Sequence, residues 1–112
     1  MSGMPGFAVI YRWRLKVGLE AQFVEAWSRI TQLYVAHRGG LGSRLHKGPD
    51  GIWVAYAQWP NAQARITAFA GESLDPIARE QMREAVAETL DEIALEPVAD
   101  YLIVPPQPMI KP

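Results

Sequence analysis

Residues Gly42 to Trp59 read "GSRLHKGPDGIWVAYAQW". The stretch has the form of a β-hairpin: a strand, the turn residues Gly48-Pro49-Asp50-Gly51, and a second strand rich in aromatic and branched side chains. Side chains alternate between the two faces of a strand. Ile52, Val54 and Tyr56 therefore share one face, and Trp53, Ala55, Ala57 and Trp59 share the other. Neither face is polar, so both need cover. A two-residue turn between Gly48 and Gly51 predicts that His46 faces Trp53 and Arg44 faces Ala55, and a bulge would change those pairs.

Working outward, Phe7 to Leu15 alternates with period two and predicts another strand, broken at Val17-Gly18. From Leu19 the period changes. Phe23, Trp27, Ile30 and Tyr34 recur at steps of three and four, which predicts an amphipathic helix ending at His37-Arg38-Gly39-Gly40. After Pro60, Asn61 to Phe69 predicts a short helix closed by Gly71. Asp75-Pro76 is an N-cap followed by proline at the first helical position. The stripe Met82, Val86, Leu90, Ile93 carries the predicted helix on to Glu96-Pro97, with Glu84, Glu88 and Glu92 on its wet side. Val98 to Val104 reads as the last strand. Residues 1–6 read as a loose start, and 105–112 as an extended proline-rich tail.

Strand, helix, strand, strand, short helix, helix, strand is the order of a split βαβ unit. It predicts an α+β protein with a four-stranded antiparallel sheet, helices on one face, and the first and third strands central. One domain of 112 residues cannot also cover the other face. A second copy of the chain is the simplest cover, which predicts a homodimer through the sheet face.

Composition narrows the function. Eleven basic and twelve acidic residues give a net charge of −1 without any basic run, so the footprint of a nucleic-acid binder is missing. No cysteine is present, which excludes disulfides and thiolate chemistry. No charged, apolar leader or membrane-spanning run is evident, so a soluble cytoplasmic protein is expected.

Three stretches carry a resemblance: "VIYRWRLKVGLEAQFVEAW" at Val9–Trp27, "GGLGSRLHKGPDGIWVAYAQWP" at Gly39–Pro60, and "NAQARITAF" after it. The chain resembles the antibiotic biosynthesis monooxygenase (ABM) domain family of the dimeric α+β barrel superfamily, over about residues 7–104. The resemblance implies a ferredoxin-like protomer that dimerises through its sheet. It also implies a function among cofactor-independent oxygenases of polycyclic phenols or haem-degrading enzymes. The haem branch pairs an Asn near the first strand, a Trp after the third and a His about ten residues later. Here Trp59 fits, but the sole asparagine is Asn61 and the residue ten past Trp59 is Phe69. Haem degradation is therefore disfavoured.

A cofactor-free oxygenase must exclude water, hold a flat ring and bias a proton. Phe23, Trp27 and Trp59 are the expected substrate-binding walls. His46, Tyr56 and Arg44 are the expected catalytic handles, with histidine the natural base near neutral pH. Each has a plainer reading: Phe23 and Trp27 as core, Trp59 as a packing anchor, Tyr56 as interface, and Arg44 and His46 as edge-strand charges. Arg12 and Arg14 share a face of a central strand, where they act either as an anion site or as interface ion pairs. No metal or other cofactor is expected, since His37 and His46 lack a third ligand in sequence. A ligand-binding or sensing module is the alternative function, and isomerase or lyase chemistry a third.

Overall fold

The strand β1 (Phe7–Leu15) is the hub of the molecule. The computed structural model describes residues 6–103. After β1 come α1 (Glu20–His37), β2 (Ser43–Lys47), β3 (Ile52–Trp59), α2 (Ala62–Ala70), α3 (Pro76–Ala85), β4 (Val86–Thr89) and β5 (Ile93–Leu95). β1 pairs antiparallel with β3 along one edge, from Phe7↔Trp59 to Arg14↔Ile52. β2 lies outside β3. The other edge of β1 is shared, with β4 covering Trp13 to Leu15 and β5 covering Ala8 to Ile10. The sheet order is thus β2-β3-β1-β4, with β5 in line with β4, and β1 and β3 are central as the sequence predicts. This is an α+β fold of the ferredoxin-like type.

Local chemistry sets the helix starts. Asn61 accepts a hydrogen bond from the Ala64 backbone N–H at 2.7 Å, and Asp75 accepts from that of Ala78 at 3.0 Å. Both satisfy a donor that a helix start leaves free. The turn at Gly18 has φ of 91°, a backbone that glycine adopts without strain.

The face toward the helices carries the odd-numbered residues of β1 and β3. Val9, Trp13, Ala55, Ala57 and Trp59 are buried there against Phe23 and Ala26 of α1, Ala68 of α2 and Ala85 of α3. Phe23 and Val9 are fully buried. Burying such a side chain stabilises the fold by about 1.5–3 kcal/mol. The opposite face carries Ile10, Arg12, Val54, Tyr56 and Gln58 between central strands, with Arg44 and His46 beside them on β2.

Two sequence expectations need correction. The first is the hairpin register. The observed pairs are Lys47↔Trp53, His46↔Val54, Leu45↔Ala55 and Arg44↔Tyr56. The turn holds one residue more than a two-residue loop: Asp50 and Gly51 have φ of 60° and 73°, and Gly48 N–H closes onto the Ile52 carbonyl at 2.8 Å. A one-residue change of register moves every side chain to the other face. Arg44 and His46 therefore leave the Trp53/Ala55 face and join Tyr56 and Val54.

The second correction concerns residues 86–103. The predicted helix stops at Ala85, and Val86–Thr89 and Ile93–Leu95 are strands. Residues 98–103 form no strand, while Val104 and the proline-rich tail lie outside the described residues. The cause is β1. Its second edge would carry unpaired backbone groups. Lys16 N–H bonds the Ala85 carbonyl at 2.8 Å and Leu90 N–H bonds the Arg12 carbonyl at 3.0 Å, which holds the chain along that edge. Tertiary pairing outweighs the helical spacing of Val86, Leu90 and Ile93.

Candidate functional site

Between the helices and the sheet lies a cleft with two communicating parts. The inner chamber is about 210 Å3 and is walled by Tyr11 and Trp13 of β1, Trp27 and Tyr34 of α1, Trp59 of β3 and Phe69 of α2. The outer chamber is about 630 Å3 and opens past Ser73, Asp75, Arg79, Arg83 and the β4 edge. Trp13, Ile30, Tyr34, Phe69 and Met82 line both and form the neck between them.

The wall geometry follows from the elements. Period two on β1 puts Tyr11 and Trp13 on the helix side, where Tyr11 and Trp13 stack with centroids 6.1 Å apart. Steps of three and four on α1 bring Trp27, Ile30 and Tyr34 over them. Tyr34, Trp59 and Phe69 form a triangle with centroid distances of 6.3, 5.2 and 5.6 Å. The Trp59–Phe69 contact is edge-to-face, a favoured arrangement for aromatic rings. Arg38 fixes the C-terminal end of α2. Its guanidinium donates to the Ala68 carbonyl at 2.7 Å and the Glu72 carbonyl at 2.8 Å, complementing the negative end of that helix.

One polar cluster stands behind the inner chamber. Arg65 Nε donates to the Tyr11 hydroxyl at 2.9 Å, and the same guanidinium reaches Glu92 Oε1 at 2.6 Å. The cation also lies 5.4 Å from the Tyr11 ring centre and 5.1 Å from that of Phe69. Burial pushes the Tyr11 phenol above its ordinary pKa, and Arg65 opposes that only in part, so the hydroxyl is protonated at neutral pH. The Trp59 indole nitrogen is buried and makes no hydrogen bond among the described residues, although Trp59 lies close enough to Tyr11 to favour its ionised form.

The six residues singled out from the sequence fall into two groups. Trp27 and Trp59 line the inner chamber. Phe23 is fully buried one layer behind, edge-on to Trp13 at 5.0 Å, and lines neither chamber. Arg44, His46 and Tyr56 meet on the opposite face of the sheet, in a shallow groove with Ile10, Val54 and Gln58. There the His46 ring bonds the Val54 carbonyl at 3.3 Å through Nδ1, which requires a proton on Nδ1. Of the two arginines of β1, Arg12 donates to the Asp91 carbonyl at 3.0 Å, and Arg14 donates to the Asp50 carbonyl at 2.8 Å and pairs with Glu88. Among the described residues, no helix is long and apolar enough to cross a membrane, and no group of three or more His, Asp or Glu is placed to hold a metal.

No protein-family model matches the sequence, and no curated protein sequence matches it. Solved structures do match. SnoaB, a cofactor-independent oxygenase from Streptomyces nogalater, superposes with a TM-score of 0.70 at 14% identity, over 87% of this chain and 97% of that one. A Bordetella bronchiseptica protein described as an antibiotic biosynthesis monooxygenase gives 0.71 at 18% identity, over 86% and 100%. One from Chloroflexus aurantiacus gives 0.70 at 14%, over 87% and 97%. The chain has the ABM fold.

Within that ABM fold, sequence reasoning missed Tyr11, Arg65, Glu92 and Phe69. Tyr11 was legible as a polar tip on a core-facing period. Arg65 had a signal too, as the one charge inside the apolar run "AQARITAFA". Glu92 had none, because its position depends on α3 ending at Ala85.

Proposed function

We propose that the protein binds a flat phenolic ligand in the inner chamber and oxidises it as a cofactor-independent oxygenase. The observation that carries this reading is the inner chamber itself, in which aromatic rings from β1, α1, β3 and α2 enclose a slot in the fold that SnoaB shares. Such a site supplies part of what the reaction needs from a protein: an apolar slot that holds one ring in one plane. For an anthrone-type ligand, the deprotonated ring donates its electrons to O2. One oxygen atom becomes the new ring carbonyl, and the other leaves as water with the two hydrogens of the oxidised carbon. Trp27 and Trp59 hold the ring, with Phe23 bracing Trp13 from behind.

The outer sheet face belongs, in the same proposal, to a second copy. Ile10, Val54 and Tyr56 are only partly covered, and the adjoining segment leaves Val98 and Tyr101 each 92% exposed. Arg44, His46 and Tyr56 then lie at the interface, where any share they take in catalysis is exerted from the far side of the sheet.

A non-catalytic ligand-binding role is the second reading, and one observation favours it: among the described residues, no histidine or carboxylate lines the inner chamber. An assay separates the two. Purified protein is mixed with an anthrone under air with metals chelated, and quinone formation is followed. Turnover above the protein-free rate, lost in Trp59→Leu, supports the oxygenase. Tight binding without turnover supports the binding role.

A further inference from the structure

The Tyr11–Arg65–Glu92 cluster stands behind the inner chamber and meets it through the Tyr11 ring, which is part of the wall. A tyrosine hydroxyl has one proton to donate and lone pairs to accept with. Arg65 Nε–H fills an accepting position at 2.9 Å. A guanidinium has no acceptor to offer in return, so the hydroxyl proton cannot go to Arg65. The Trp59 indole N–H also faces the Tyr11 oxygen without closing a hydrogen bond, and it too is a donor, so among the described residues the hydroxyl proton has no acceptor. The Tyr11 ring lines the inner chamber, which is therefore where a donor without an acceptor can be used.

We infer that Tyr11 is the recognition point for an oxygen atom on the ligand, donating a hydrogen bond from its hydroxyl to a phenolic, phenolate or ketone oxygen. The inference rests on the proposed aromatic-binding reading and deepens it by naming the group that must be present on the ring. Arg65 holds the phenol by its oxygen, and its positive charge makes the O–H a stronger donor toward an oxygen that gains negative charge. Glu92, 2.6 Å from the guanidinium, holds Arg65 in place. Burial keeps the phenol protonated at neutral pH, as a donor must be. Tyr11 is half-buried, and a donor left without an acceptor against an apolar ring is costly, so such a site disfavours an analogue that lacks the oxygen.

The test compares 2-naphthol with naphthalene by equilibrium dialysis against wild type and Tyr11→Phe. Wild type is expected to bind 2-naphthol about tenfold more tightly than naphthalene. Tyr11→Phe keeps the ring and its contacts, and is expected to bind naphthalene as wild type does while the preference falls several-fold. A melting curve shows whether the variant is folded. If it is not, Arg65→Met serves in its place and is expected to weaken the preference by about threefold. Equal binding of both ligands by wild type, or an undiminished preference in the folded variant, overturns the inference alone. Failure of wild type to bind either ligand overturns the aromatic-binding reading and this inference with it.

Discussion

Asp75 does two things at the start of α3. One carboxylate oxygen accepts from Ala78 N–H, and the other pairs with Arg29 at 2.7 Å, tying α1 to α3. The Ala78 N–H holds its carboxyl below the ordinary range, with Arg29 adding to that effect and burial opposing it. A carboxyl whose folded pKa is depressed stabilises the fold above its unfolded pKa, and that stability is lost as pH falls through the folded value. Asp75→Asn is expected to melt at a lower temperature than wild type at neutral pH. It is also expected to show a shallower loss of melting temperature on acidification below the usual carboxylate range, read by calorimetry. Parallel acid limbs for the two proteins would remove Asp75 from this role. The cap was legible in "DPIAR" because it is local chemistry. The placement of His46 and Arg44 was not, since it turns on Gly51 joining Pro49 and Asp50 in the loop, so that Gly48 closes onto Ile52.

At the scale of elements, β1, α1, α2 and the start of α3 follow from period and punctuation: Gly18, Gly39, Asn61, Gly71 and Asp75-Pro76 mark their ends. The end of α3 has no such mark. No glycine or proline separates Ala85 from Val86, and Val86, Leu90 and Ile93 fit a helix as well as they fit short strands. What decides is the bare edge of β1, a feature of the assembled sheet that no local window contains. Thr89 tests the assignment, because it is exposed on β4 and pairs with Trp13. A branched side chain suits a strand and not a helix. Thr89→Ala is expected to cost the protein about 0.5 kcal/mol, whereas a helix would gain about that amount. Denaturant unfolding gives the sign, and a clear gain would point back to the helix.

On the whole-molecule scale the sheet divides the chain into two surfaces with different tasks. The helix side holds the aromatic chamber, and the open side holds Ile10, Val54 and Tyr56 with the exposed residues that follow β5. That one sheet face would lack cover was legible from "IWVAYAQW", since both sides of the strand are apolar. Which side takes the helices was not, because β1 and β3 are apolar or mixed on both. The two-surface arrangement is the central claim, and the sedimentation velocity of wild type and Val54→Asp in the presence of 2-naphthol tests it directly. Recording at a wavelength where the ligand absorbs gives particle mass and bound ligand together. Wild type is expected to sediment as twice the 12.5 kDa subunit carrying ligand. Val54→Asp is expected to sediment as one subunit and still carry it. A wild-type boundary at one subunit's mass, or ligand that fails to move with the protein, would contradict the claim.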